Sequence, residues 1–238
     1  MFCQRWVVPA IYLFLLLFVQ TAFAQVGWWK KYTTPGTDLT IRKSYVVTDK
    51  GETEYHYFFQ AKGFPAGRKY VGLMRNLMSP DRLMGTGIHA VGDQGNLISG
   101  DGTEFELVAK GFLPGETIQL SILEEDTRIT NFVQITPIPL EGQDGACRLY
   151  AILLDRQQYG YELHAVGFTP RKRIQFHGDS EGEVRDWKVK TDKDGSWLGL
   201  MFPAAKGKAS GMLRWQVQGE SCSPTVQIPW RNPGTNEP

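Results

Sequence analysis

An all-β chain of tandem antiparallel β-sandwich repeats is what this sequence predicts, and three observations carry the prediction. The 238 residues include 26 Gly, 13 Phe, 9 Tyr and 7 Trp, a composition that suits strands and turns. Apolar residues alternate with polar ones at period two in segment after segment. The pattern Ala-x-Gly-Phe occurs at 61–64, 109–112 and 165–168, far more often than composition alone would produce, so the chain is internally repetitive.

The first element is not part of that repeat. Met1 to Ala24 reads as a secretory signal, with Arg5 as the positive region and Val7 to Val19 as the apolar run. Ala22-Phe23-Ala24 supplies the small residues for cleavage after Ala24. Thirteen apolar residues make only about 20 Å of helix, short of a bilayer core of roughly 30 Å. No later apolar run of membrane length occurs, so no transmembrane segment is expected after cleavage, and the localisation expected is periplasmic or secreted. The whole chain has a formal charge of +1. Removal of the segment with Arg5 leaves acids and bases balanced, which gives no global attraction for nucleic acid. Cys147 and Cys222 are then the remaining cysteines, and an even pair in an oxidising compartment is expected to form a disulfide.

An N-terminal arm over 25–56 follows. Leu39 to Thr48 reads as a strand and Asp49-Lys50-Gly51 as the turn into Thr53 to Ala61. Three copies come next, over 57–104, 105–158 and 159–231, with a tail at 232–238. Each opens on an alternating set: Tyr57, Phe59, Ala61; Phe105, Leu107, Ala109; Tyr161, Leu163, Ala165. A core-facing strand is expected for each. Turns follow at Phe64-Pro65-Ala66-Gly67, Phe112-Leu113-Pro114-Gly115 and Phe168-Thr169-Pro170-Arg171. Second strands are marked by Ile118, Leu120, Ile122 and by Ile174, Phe176. Leu213, Trp215 and Val217 form a degenerate fourth copy. In copy one, Tyr70, Met74, Leu77 and Met78 stand at helix spacing, so a short helix is expected before Pro80. The early copies are tight enough to share strands.

The third copy resembles bacterial immunoglobulin-like repeat modules of exported and surface proteins. The resemblance rests on Gly167-Phe168-Thr169-Pro170, Ile174 and Phe176, Asp192-Lys193-Asp194-Gly195-Ser196-Trp197, and Gly211. Gly111-Phe112-Leu113-Pro114-Gly115-Glu116 extends it, so that it covers roughly 105–230. It implies tandem immunoglobulin-like sandwiches that serve as spacers, stalks or adhesion surfaces without catalysis.

Candidate chemistry is sparse. Arg171-Lys172-Arg173 puts three cations on one turn, a place to hold an anionic glycan or lipid headgroup, and the partner expected is a protein of the envelope or extracellular space or an anionic glycan. Met74, Met78 and Met84, with His89 just beyond, offer thioethers and an imidazole to Cu(I). Asp192, Asp194 and Gly195 resemble a fragment of a calcium loop, but the later acidic ligand is missing, so a plain turn is expected. His56 and His164 fall out of phase with the core set and read as solvated strand positions. No nucleophile elbow, phosphate loop or dinucleotide fingerprint is present, and no motif requires a cofactor. The reading is an exported, non-catalytic binding or structural module. The alternatives are a hydrolytic enzyme acting on an envelope polymer, through a pair such as Glu124-Glu125, and a periplasmic copper-binding protein.

Overall fold

A computed structural model describes residues 33–76, 84–124 and 126–232. The expected signal at 1–24 lies outside them, as do Met78 and Glu125. The described chain is all β. Sheet pairing is antiparallel throughout, and no described helix is long and apolar enough to cross a membrane.

The first eight strands are β1 (Asp38–Asp49), β2 (Glu52–Lys62), β3 (Lys69–Asn76), β4 (Met84–Val91), β5 (Leu97–Ser99), β6 (Glu106–Lys110), β7 (Ile118–Leu123) and β8 (Thr130–Ile135). They form two sheets, of order β1-β2-β6 and β5-β4-β3-β7-β8. The next eight are β9 (Leu140–Asp144), β10 (Cys147–Asp155), β11 (Gly160–Val166), β12 (Arg173–Ser180), β13 (Glu183–Lys190), β14 (Trp197–Met201), β15 (Ser210–Gln218) and β16 (Thr225–Arg231). Their sheets run β14-β11-β10-β9 and β13-β12-β15-β16. Without the short β5 and β9, the two halves have the same strand order: 1-2-5 in one sheet, 4-3-6-7 in the other. Each half encloses its own core. One gathers Phe59, Tyr70, Leu97, Leu120 and Ile122, the other Leu149, Tyr161, Phe176, Trp215 and Ile228. The alternating sets of the sequence face those cores.

The structural period is therefore about twice the sequence spacing. Copies one and two both feed the first sandwich, since β2 and β6 pair with each other. β10, from copy two, pairs with β11 of copy three. The Ala-x-Gly-Phe pattern ends the second strand of each sandwich, and the fifth strand of the first. Gly63 and Gly167 are the true equivalents. Their φ angles are 75° and 79°, and a Cβ on either would lie 2.0 Å from a carbonyl oxygen, of Gly36 or of Ala146. In both sandwiches the chain entering strand one crosses against the end of strand two, and only glycine leaves room for it. Gly111 is also left-handed, but open space surrounds it.

The helix expected from Tyr70, Met74, Leu77 and Met78 is not formed. Lys69–Asn76 is β3, paired on both sides by β4 and β7. A spacing of four satisfies a strand face as well as a helix face, and Gly72 lies between Tyr70 and Met74. A Cβ there would stand 2.1 Å from Thr86 Oγ1 and 2.5 Å from His89 Nε2, so β4 packs directly on that glycine. Leu77 and Met78 lie outside the described residues.

The sandwiches are joined by the β6–β7 turn. Gly115 accepts a hydrogen bond from the Leu153 N–H on β10 and donates one to the Ile138 carbonyl, each 2.8 Å long. Glu116, fully buried, receives Arg156 Nε at 2.9 Å and 3.0 Å on its two oxygens and the Leu113 N–H at 3.0 Å. Cys147 and Cys222 form the expected disulfide, with Cα atoms 6.2 Å apart. It ties the start of β10, in one sheet of the second sandwich, to the β15–β16 loop of the other.

Candidate functional site

The basic turn is positioned by the second sandwich's own repeat geometry. Phe168 is buried and anchors the turn, and Thr191, 2% exposed, knits it to the end of β13. The Thr191 hydroxyl donates to the Thr169 carbonyl at 2.8 Å and accepts from the Lys172 N–H at 3.1 Å. The Arg171 N–H donates to the Asp192 carbonyl at 2.9 Å. The backbone under the cations is thus fixed by bonds from a buried side chain and a neighbouring loop.

Arg171 has a left-handed backbone, φ 57°. The matching positions of the other two turns are Gly67 at 74° and Gly115 at 80°. A side chain in this region costs roughly 1–2 kcal/mol against a right-handed conformation. The three cations of the sequence do not act alike. Lys172 pairs with Glu220 at 3.1 Å, and that ammonium holds the Glu220 carboxyl below its ordinary range. Arg171 and Arg173 have no ionic partner among the described residues. Arg173 stands directly opposite Lys190 on the exposed face of β12–β13, with Lys188 opposite Gln175 in the next outward pair. Like charges directly across a ladder are destabilising. Sequence reading missed Lys188 and Lys190. Their signal was present in the alternation of Lys188 and Lys190 with Val189, but the pairing that brings them beside Arg173 needs the β12–β13 register.

Further along that outward face come Gln175, His177 and Asp186, then Gln216 and Gln218 of β15, with the exposed apolar side chains of Val184 and Met212 beyond them. His177 Nδ1 meets Asp186 at 2.9 Å. In the following loop, the Ser196 N–H donates to Asp192 at 2.9 Å and to Asp194 at 3.0 Å. Asp194 is pulled down to about 2 by its hydrogen bond with the Asp192 carboxyl and then by those from Ser196. These carboxylates close a turn, and among the described residues no cluster of three or more His, Cys, Asp and Glu is arranged to hold a metal.

Met74 and Met84 come directly opposite each other in the β3–β4 ladder. His89 is 2% exposed, with Nε2 3.0 Å from the Thr86 hydroxyl and its ring 4.2 Å from Phe105. Burial pushes its pKa down. Glu124 is buried, and the Thr127 hydroxyl, then Arg68, hold its carboxyl below its ordinary range. Trp230 is 2% exposed and packs in the second core.

Two histidines depart from the solvated positions expected of them. On the outward face of the first hairpin, Tyr45 lies flat on His56, with centroids 4.5 Å apart and planes at 7°. Glu106 receives the Tyr45 hydroxyl at 2.7 Å and meets His56 Nδ1 at 2.8 Å; those two contacts lower its pKa. On the equivalent hairpin of the second sandwich, Tyr150 lies on His164 at 4.3 Å and 9°, and Glu162 meets His164 Nε2 at 2.5 Å. The imidazoles are roofed by a cross-strand tyrosine and bonded to a carboxylate. In the first case the signal was legible: the Lys50-Gly51 turn, with both φ positive, fixes a register that puts Tyr45 opposite His56. The β10–β11 loop is longer and bulged, so its register was not.

The chain matches no protein-family model and no curated protein.

Proposed function

We propose that this is an exported, non-catalytic binding module of the cell envelope or extracellular space, and that its second sandwich presents the β12–β13 corner to an anionic glycan. The single observation that carries this reading is Arg171 in a left-handed conformation where the sibling turns have glycine. Backbone strain held by a rigid turn points to a role for the side chain. The like-charged neighbours Arg173, Lys188 and Lys190 add an electrostatic cost, which a bound anion offsets. The glutamines and His177 beside them suit the hydroxyl groups of a sugar chain.

Both sandwiches are read as immunoglobulin-like. Their 1-2-5 and 4-3-6-7 orders differ from the constant-type arrangement by moving the fourth strand to the other sheet. The test is affinity electrophoresis of the mature protein through gels containing polygalacturonate. Retardation that weakens with salt, and that is lost in the triple variant Arg171→Ala, Arg173→Ala, Lys190→Ala, supports the reading. Wild-type migration unaffected by the polymer at low salt overturns it.

A further inference from the structure

The two sheets of the second sandwich part at one end, between β13 and the segment that follows β14. The opening is a cavity of about 110 Å³, lined by Ser180, Glu183, Arg185, Trp187, Met201 and Phe202 among others. That is well below the roughly 300–1,000 Å³ of ordinary ligand pockets, so it admits one ring-sized group.

Its walls are of three kinds. Trp187 and Phe202 are aromatic. Trp187 has one face stacked on Phe176, centroids 5.1 Å apart and planes at 5°. Phe202 is 59% exposed and crosses the backbone of Gly160, where a Cβ would stand 2.6 Å from its ring. A large aromatic held out in water beside a cavity is a stacking surface. Ser180 is 6% exposed, and its hydroxyl is buried with no hydrogen-bond partner among the described residues. Buried hydroxyls without partners are rare and call for an explanation. Arg185 is exposed and has no ionic partner among the described residues, while the Glu183 carboxylate is already engaged by the Lys206 N–H at 2.5 Å. Arg185 is therefore the lining group open to an anion, while Glu183 keeps its own negative charge beside it.

We propose that this sandwich mouth binds one terminal uronate residue of the anionic glycan, an inference that rests on the function proposed above. The ring packs against Trp187 and Phe202, a sugar hydroxyl completes Ser180, and the carboxylate meets the Arg185 fork. β13 links the two places. It is an edge strand, with Arg185 on its inward face and Lys188 and Lys190 on its outward face. Arg185 and Lys188 are about 10 Å apart along the strand, so one glycan can bridge them across the edge.

Calorimetric titration with trigalacturonate, together with saturation-transfer NMR on the sugar protons, tests this. Arg185→Ala and Ser180→Ala are each expected to weaken trigalacturonate binding, Arg185→Ala by about tenfold or more. Phe202→Ala is expected to remove saturation transfer to the terminal ring. All of these variants are expected to keep the retardation by polygalacturonate that depends on the basic corner. Wild-type affinity in Arg185→Ala and Ser180→Ala, with polymer retardation intact, overturns the pocket and leaves the corner standing. Absence of both trigalacturonate and polymer binding in the wild type overturns both. A tetraglutamate peptide that binds as tightly as trigalacturonate, with the same dependence on Arg185, overturns the sugar assignment in favour of an acidic protein segment.

Discussion

Arg171 separates stability from function at one residue. Replacing it with glycine relieves the left-handed strain while giving some of that gain back as chain entropy. Arg171→Gly is therefore expected to raise stability, by up to about 1 kcal/mol in urea unfolding, and to weaken polyanion binding. A variant that loses stability would show that the side chain supports the turn instead. His89 makes a second prediction at this scale. Its folded pKa lies below the unfolded value of about 6.5, so the unfolded chain binds the extra proton. The stability it safeguards is complete above that pH and falls as pH drops below it. Urea midpoints at pH 7.5 and pH 5 are expected to differ less in His89→Gln than in the wild type.

At the scale of elements, the same tetrapeptide does two different jobs. Gly63→Ala or Gly167→Ala places a methyl group 2.0 Å from a backbone carbonyl oxygen, in a left-handed conformation besides. Each is expected to cost about 3 kcal/mol or more, as overpacking and backbone strain add. Gly111→Ala meets open space and is expected to cost about 1 kcal/mol, from conformation alone. Equal losses at the three sites in thermal unfolding would contradict the account. The alternation of Tyr57, Phe59 and Ala61 made β2 legible from the residues alone, as did Ile118, Leu120 and Ile122 for β7. β3 was not legible, because Tyr70 and Met74 fit both periods and the deciding contact, β4 on Gly72, is long-range. The basic turn was legible as three adjacent cations. Its division into a paired Lys172 and the free charges of Arg171 and Arg173 was not, because Glu220 and Lys190 reach it through the fold.

For the whole molecule, the repeat visible in the sequence is half of the repeat in space. A glycine-ended strand recurs about every 50 residues because strands two and five of the first sandwich resemble each other locally. The doubling appears only when β2 pairs with β6 and β10 with β11. The junction between sandwiches includes an ion pair between the fully buried Glu116 and the partly exposed Arg156. Arg156→Ala would leave that carboxylate buried and unpaired, with an expected cost of about 3 kcal/mol in chemical unfolding. The Cys147–Cys222 bridge spans 75 residues of sequence. Replacing both cysteines with serine is expected to cost up to about 4 kcal/mol by the chain-entropy account, and mainly in the second sandwich. The central claim is that the corner of β12 and β13 is an anion-binding face, and amide chemical-shift mapping with oligogalacturonate at low salt tests it most directly. The account predicts shifts concentrated at Arg171, Arg173, Lys188 and Lys190 that fade as salt is raised. Shifts centred on the β1–β2 hairpin, or none at all, would contradict it.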